Sequence, residues 1–321
     1  MNMDKELLED AIEAINKNEG LIHEASHYTN VGAFVNMVQT IHNIDSKPFF
    51  RFWFTDAYCT NDKTEASLGY DFMINAFSAI ESCLYSKEDR FLITNYESEL
   101  KKSKKYKHFT PDKIRSLLTH EEATPYIMSL TRKTDDIDTW LKVYGDGGKG
   151  ICMVFDFSDM DKYRYQSDFC IHGLFSVIYG NCIGYIHEKN LLQGIIWDEY
   201  IRFLKDVYRL NDFEAILNRK IVAMDQVCSL ISSFIKGEEW HDECEERMAA
   251  LRHFIPYKYT PKPVIQNKGK SHIEVDIPVS CLNKIIIGPC ADKENIKKVI
   301  EMSELAGLSH NNVTISKKPL K

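Results

Sequence analysis

The sequence predicts one α+β domain. Aromatic and β-branched runs at residues 49–55 and 151–157 are typical of buried strands, whereas residues 31–42 repeat apolar side chains at helical spacing. These segments intermix without the regular alternation that a parallel βαβ sheet requires. The 321 residues are 44% hydrophobic, with 15 Gly and 9 Pro. This composition supports a sizeable core and excludes a disordered or low-complexity chain.

Predicted helices and strands intermix in the amino-terminal half. Helical spacing predicts helices over residues 7–15, 31–42 and 62–84, the second capped by Asn30. Strands are predicted over residues 20–25, 49–55 and 125–131, and the aromatic strand 49–55 is expected to be buried on both faces. The lysine-rich residues 98–108 predict an exposed helix or loop.

The carboxyl-terminal half is predicted to carry a helical insertion in a sheet-forming region. A short helix over residues 136–143 precedes a glycine-rich turn, and residues 191–234 resemble an α-hairpin. We therefore expect a single domain over residues 1–321 with an insertion at about 190–236. The remaining predictions are strands at 151–157, 174–186, 272–276, 284–287 and 313–316, and a helix at 292–305.

Charge and cysteine content restrict the function classes. The net charge of −7 argues against a bulk nucleic-acid binder, although it leaves a local basic groove possible. The polar amino terminus and the lack of an apolar run of about 20 residues predict a cytoplasmic protein. Nine scattered cysteines without a CxxC pair predict reduced thiols rather than a disulfide framework.

Two familiar site types do not fit the sequence. A P-loop needs its lysine to be followed by Ser or Thr and a helix, whereas Lys149 is followed by Gly150 and a strand. The histidines and cysteines between residues 228 and 253 lack the paired spacing of a zinc site. No metal is therefore expected.

The acid-rich residues 238–247 leave two interpretations open. On a strand, Glu243, Glu245 and Arg247 would point to one face because side chains alternate with a period of two. Two carboxylates and a guanidinium would then lie side by side and suit a polar ligand. On a helix, the same run would be an acidic exposed surface.

The order of the motifs resembles a widespread bacterial family of domains of unknown function whose members carry a divergent ADP-ribosyltransferase-like fold. The motifs are His27-Tyr28-Thr29, Asn61-Asp62-x-x-Glu65, Ser129-Leu130-Thr131, Trp140-x-x-x-Tyr144-Gly145, the strand at 151–157, Glu243-x-Glu245-x-Arg247, and Ile285-Ile286-Ile287-Gly288-Pro289. The resemblance implies a split β core with a helical insertion.

The resemblance also implies residue roles. His27 would bind the adenosine ribose of NAD, Ser129 would support the nicotinamide ribose, and either Tyr28 or Tyr144 would stack on nicotinamide. Glu245 would contact the ribose 2′-hydroxyl and orient the acceptor. The implied catalytic set is Glu243, Glu245 and Arg247, and the implied NAD-binding set is His27, Tyr28, Thr29, Ser129 and Tyr144.

The resemblance therefore implies an enzyme that transfers ADP-ribose from NAD, used as a substrate without a metal, to a macromolecule. Such proteins act as toxins in toxin–antitoxin or phage-defence systems, so an antitoxin partner is expected. Alternatives are NAD hydrolysis and a non-catalytic interaction or sensor module. A nucleic-acid acceptor is favoured by a basic stretch beside Tyr106 and His108. Its lysines are Lys101, Lys102, Lys104, Lys105 and Lys107.

Overall fold

The computed structural model describes residues 23–59, 124–163, 165–166, 169–179, 233–252 and 263–319. The chain divides into two compact units, and the one that carries the large sheet comprises Leu21–Asp56, Tyr126–Val177 and His241–Lys321. The predicted helices over 7–15 and 62–84, the lysine-rich stretch, and residues 190–232 of the predicted insertion lie outside the described residues.

Twelve of the described strands form one mixed sheet, and three α-helices accompany it. The strands of this sheet are β1 Glu24–Thr29, β2 His42–Ile44, β3 Lys47–Asp56, β4 Tyr126–Thr131, β5 Ile151–Asp156, β6 Tyr165–Gln166, β7 Phe169–Ser176, β10 Glu245–Arg252, β11 Ile265–Asn267, β12 Lys270–Pro278, β13 Leu282–Ile287 and β14 Val313–Ile315. The helices are α1 Val31–Gln39, α2 Ile137–Leu141 and α3 Lys293–Leu305.

The other unit contributes a separate two-stranded parallel sheet to the described residues. Its strands are β8 Ile178–Tyr179 and β9 Ile235–Lys236. The predicted strand over 174–186 is therefore two strands, β7 and β8, and residues 235–236 of the predicted helical insertion form a strand. Since strand pairing satisfies the backbone of Ile235 and Lys236, the helical pattern does not extend to residue 236.

Strand β4 is the branch point of the large sheet. The main strand order is β11-β12-β3-β4-β1-β5-β13-β14, while β10 pairs the other edge of β4 and then pairs β7. The pairs are antiparallel except for β13 with β14. The described residues thus form a mixed α/β arrangement with a large open sheet and few helices.

One edge of β4 is shared by two strands. β3 pairs its beginning, with Thr55 opposite Ile127, and β1 pairs its end, with Ser26 opposite Thr131. On the opposite edge, β10 pairs β4 continuously from Thr131 to Tyr126. β1 and β3 must diverge between their two attachment points, and this divergence is here called the split.

The main core lies on the inner face of the diverging strands. Phe52 of β3 meets Phe155 of β5 edge to face, with 5.7 Å between ring centroids. Helices α1 and α3 add Phe34 and Val299 to the same cluster. The predicted burial of β3 on both faces is wrong, because Trp53 on its outer face is 48% exposed. Strand β3 therefore shows the period of two of a half-solvated sheet.

Helix boundaries follow their caps. The Asn30 side chain accepts a hydrogen bond from the Ala33 amide, as predicted, and Asp292 caps α3 in the same way through Asn295. Helix α1 ends at Gln39 rather than at residue 42, because His42 already pairs with Phe49 in the β2–β3 hairpin. No helix among the described residues is long and apolar enough to cross a membrane.

The tryptophan and glycine motifs form one tightly packed corner. Gly145 lies so close to the Trp140 backbone that a Cβ added at Gly145 would be 2.5 Å from both the Cα and the carbonyl oxygen of Trp140. Gly288 donates its amide to the Gly150 carbonyl at 2.9 Å, and an added Cβ at Gly288 would collide with the carbonyl of Gly148. These motifs therefore have a packing role, since only glycine permits such close backbone approach.

Gly145→Ala is expected to lower the free energy of unfolding by about 1–3 kcal/mol, because the new methyl group would collide with the fixed Trp140 backbone. The matched variant Gly173→Ala, where an added Cβ meets nothing within 4 Å, should change it by much less. Urea unfolding followed by circular dichroism measures both. Equal midpoints for the two variants would contradict the packing role of Gly145.

Candidate functional site

The acid-rich run changes conformation at Cys244. Glu238–Glu243 form a 3-10 helix, and β10 begins at Glu245. Cys244, between them, has a φ of 45°, in the left-handed region that non-glycine residues rarely adopt. Glu243 therefore does not share a strand with Glu245 and Arg247, and that part of the strand interpretation is wrong. The left-handed turn interrupts the period of two.

Glu245 and Arg247 form a buried bidentate ion pair. Arg247 Nε lies 2.7 Å from Glu245 Oε1, and Nη2 lies 3.0 Å from Oε2. Only 6% of the Glu245 side chain and 3% of the Arg247 side chain are exposed. The interpretation of the run as an exposed acidic helix is thus wrong at these positions. Removing either partner of such a pair leaves the other as an unpaired buried charge. The two parallel hydrogen bonds from the guanidinium fix the orientation of the Glu245 carboxylate.

Strand register brings Ser129 and Thr131 beside this pair. Thr131 is directly opposite Glu245, and Ser129 is directly opposite Arg247. All four side chains lie on the outer face of the sheet, because residues paired across strands share a face. Ser129 is exposed, whereas Thr131 and Glu245 are buried. A hydroxyl open to solvent therefore neighbours an oriented carboxylate.

Thr131 holds the turn that precedes Glu245. Its hydroxyl donates to the Glu243 carbonyl at 2.8 Å and accepts from the Lys133 amide at 3.1 Å. The Arg132 amide donates to the Cys244 carbonyl at 3.1 Å. These bonds join the end of β4 to the turn, and they keep Cys244 in its unusual conformation.

Glu243 lies next to the segment that carries Tyr144. Lys142 Nζ is 3.9 Å from Glu243 Oε1, in a partly exposed ion pair. Lys142 immediately precedes the 3-10 helix Val143–Gly148, and Tyr144 in this helix is 52% exposed. The Lys142–Glu243 ion pair thus connects the turn at Glu243 to the segment that carries the exposed Tyr144.

Glu246 is a buried carboxylate that does not belong to the predicted catalytic set. It points to the inner face, opposite Leu130, and is completely buried. Arg132 Nε lies 2.6 Å from its Oε1, and Ser176 donates to the same oxygen at 3.2 Å. Strand alternation alone indicates that Glu246 faces away from Glu245, but nothing in the sequence pairs it with Arg132.

His27 lies on the opposite face of the sheet from Glu245. Its imidazole meets Phe52 edge to face at 5.8 Å and donates a hydrogen bond to the Ser129 carbonyl. Burial lowers the pKa of His27, and this hydrogen bond opposes the shift. A neutral imidazole therefore fills the split, where the β4 edge passes from β3 to β1.

Tyr28 is built into a small core on the outer face. It is 5% exposed, its ring meets the edge of Trp140 at 4.8 Å, and its hydroxyl accepts the Asp136 amide at 3.0 Å. Burial raises its pKa. Its neighbour Thr29 pairs with Ile151. Of the two tyrosines proposed for stacking, Tyr144 is the exposed one.

Among the described residues, no group of three or more His, Cys, Asp or Glu side chains is placed to hold a metal ion. On the outer face, Glu245 pairs with Arg247. Their arrangement can orient a carboxylate toward a cationic or polar group.

His27 should make folding stability depend on pH. Because its folded pKa is below the ordinary value of 6.5, the unfolded chain binds more protons as the pH falls below about 6.5, and the folded state loses stability. This contribution is complete above that pH and is lost as the pH falls through the folded pKa. Urea midpoints of His27→Gln, measured from pH 7.5 to 5, should therefore depend less on pH than those of the wild type.

His272, whose pKa burial also lowers, contributes with the same sign. The double variant His27→Gln/His272→Gln should flatten the profile further. A His27→Gln profile parallel to that of the wild type would contradict the assignment of the pH dependence to His27.

Comparison with known families adds one match. The model of the family described as Protein of unknown function (DUF2971) matches residues 141–248. No curated protein and no solved structure matches the chain. The matched segment runs from the end of α2 to the middle of β10 and includes Tyr144, Glu245 and Arg247. Residues 141–248 therefore carry a DUF2971 domain of unknown function.

Proposed function

We propose that this protein transfers ADP-ribose from NAD to a macromolecule and that Glu245 is its catalytic carboxylate. The observation that carries the proposal is the placement of Glu245 on a buried strand. There Arg247 orients it bidentately, and the exposed Ser129 lies on the adjacent strand and the same face. The shared edge of β4 supports the proposal as well, since the family resemblance implies a split β core.

The chemistry suits these residue types. Cleavage of the bond between ribose C1′ and nicotinamide leaves the electron pair on nicotinamide and positive charge on the ribose, as in glycoside cleavage. A fixed carboxylate stabilises that charge electrostatically. An ionised carboxylate offers about four acceptor sites, so Glu245 can also accept the proton of the attacking nucleophile while it is paired with Arg247.

The surrounding residues receive separate roles. Ser129 supports the nicotinamide ribose through its hydroxyl, and Glu243 contacts the acceptor from the turn beside Lys142. Tyr144 stacks on nicotinamide, because Tyr28 is enclosed by Trp140. His27 serves as a positioning residue that holds the Ser129 carbonyl from the inner face. In a cell, an unrestrained enzyme of this kind would act as a toxin and require an antitoxin partner.

Glu245→Gln should reduce the rate of ADP-ribose transfer by about a hundredfold or more, because the neutral amide no longer stabilises the developing positive charge. The assay supplies NAD labelled in its adenylate part and follows label entering protein, RNA and DNA fractions. Glu239→Gln, in the exposed 3-10 helix of the same acidic run, is the matched control and should keep the wild-type rate.

Glu245→Gln leaves the buried guanidinium of Arg247 without a countercharge, and an unpaired buried charge destabilises the fold. A second variant is therefore needed to separate loss of folding from loss of catalysis. Glu245→Gln/Arg247→Met removes both charges, so it should fold and remain inactive. Equal rates for Glu245→Gln and the wild type would refute the catalytic assignment. Release of free ADP-ribose without a labelled macromolecule would indicate NAD hydrolysis, and no turnover would favour a non-catalytic module.

Tyr144→Ala should raise the KM for NAD about 5- to 150-fold, because base–aromatic stacking contributes about 1–3 kcal/mol. Its folding stability should hardly change, since the ring is half exposed. Tyr28→Phe should do the reverse: it loses the acceptor for the Asp136 amide and about 0.5–1.5 kcal/mol of stability, with an unchanged KM. Steady-state kinetics and urea unfolding distinguish the two. A raised KM for NAD in Tyr28→Phe but not in Tyr144→Ala would assign the stacking role to Tyr28 instead.

A further inference from the structure

An exposed aromatic platform lies on the outer face of β3 and β12. Trp53 is 48% exposed, and its ring lies against the imidazole of His272 with 5.2 Å between centroids and 30° between planes. Thr55 Oγ1, 3.1 Å from His272 Nδ1, holds that imidazole in place. The indole is therefore supported from one side and presents its remaining surface to solvent. A fixed, open aromatic ring suits stacking of another flat ring.

The platform borders the split beside Ser129. Thr55 pairs with Ile127, and Trp53 precedes Thr55 by two residues on the same face. Ser129 follows Ile127 by two residues, also on that face, and lies opposite Arg247 of β10. Trp53 on β3 and Ser129 on β4 thus border the split from adjacent strands, with the Glu245–Arg247 pair on the far side of Ser129.

Cationic side chains lie on both sides of the ring along the strands. Arg51 is opposite Asp276 and Trp53 is opposite Glu274, while Lys270 lies further along β12 at the β11–β12 turn. Lys270 precedes Asp276 by six positions, or roughly 20 Å along an extended strand. Lys268, in the turn itself, adds a third cation.

This spacing favours a polynucleotide over a single nucleotide. A mononucleotide carries its phosphate close to its own base and cannot reach cations on both sides of the ring, whereas a strand carries one phosphate for each base. Arg51 is in a partly exposed ion pair with Glu274 at 3.4 Å, and such pairs contribute little stability. Arg51 can therefore exchange this partner for a phosphate. Glu274 and Asp276 share this face and offset part of the charge of Arg51, Lys268 and Lys270, so these five side chains keep a small positive excess. Because charges beyond about 8–10 Å are screened, the net charge of −7 acts on this patch only weakly.

We propose that Trp53, Arg51, Lys268 and Lys270 bind a segment of single-stranded nucleic acid, with one unpaired base stacked on Trp53. The next nucleotide of the bound strand would then lie toward Ser129 and Glu245. This last clause rests on the proposed function and identifies the acceptor as nucleic acid, whereas the binding itself requires no NAD.

The test uses the full chain and fluorescein-labelled oligonucleotides of about 12 nucleotides, as single-stranded DNA, single-stranded RNA and a DNA duplex, without NAD. Fluorescence anisotropy should show binding of a single strand that exceeds duplex binding. Trp53→Leu should weaken that binding about 5- to 150-fold, and Trp53→Phe should weaken it less. Trp240→Leu, at an exposed tryptophan of the other unit, is the matched control and should bind as the wild type does.

The lysines are tested through salt dependence. Lys268→Gln/Lys270→Gln should reduce the slope of log affinity against log salt by about 1.4, since each phosphate contact to a single strand contributes about 0.7. A Trp53→Leu affinity equal to that of the wild type, or absence of single-strand binding, overturns the proposal, as does quenching of Trp53 by AMP or NAD without oligonucleotide binding. If an oligonucleotide binds through Trp53 but no label is transferred through Glu245, the nucleic-acid binding site is supported and the proposed ADP-ribose transfer is refuted.

Discussion

The sheet depends on the sharing of one β4 edge between β3 and β1. Each strand pairs only one end of β4, so the strands must separate between these points. The imidazole of His27 occupies the separation and donates to the Ser129 carbonyl, which satisfies a backbone acceptor where strand pairing passes from β3 to β1. The diverging strands then enclose the core in which Phe52 meets Phe155.

Alternation along β10 assigns its charged residues to two environments. Glu245 and Arg247 face outward and neutralise each other, whereas Glu246 faces inward and is neutralised by Arg132 from the end of β4. Two buried carboxylates at consecutive positions are tolerable only because each has its own guanidinium and its own face. The turn at Cys244, which Thr131 and Arg132 hold by hydrogen bonds, determines where this alternation begins. The direction of the Glu245 carboxylate is therefore a consequence of contacts made by β4.

The motifs that carry the family resemblance divide between packing and surface. Trp140, Gly145 and Gly288 form a corner in which backbone segments nearly touch, and Tyr28 closes the small core beneath it. By contrast, Ser129 and Tyr144 leave polar or aromatic surface exposed on the outer face or its flanking segment. Motifs that occur in a family's order along a chain can thus reflect tight packing as well as chemistry. The burial of their side chains distinguishes the two.

The sequence alone determined the existence of the strongest elements, because these depend on local patterns. Strands β4, β5 and β13 and the cap Asn30 follow from side-chain period or capping chemistry. The period of two allowed a strand at Glu245 and Arg247 but left an exposed helix equally open, and the structure decided between them. Only the tertiary structure decided which faces meet. It placed His27 and Glu245 on opposite faces, enclosed Tyr28, paired Glu246 with Arg132, and set Trp53 beside the split. Such pairings join residues as far apart in the chain as Trp53 and His272, and a local pattern carries no information about contacts across that separation.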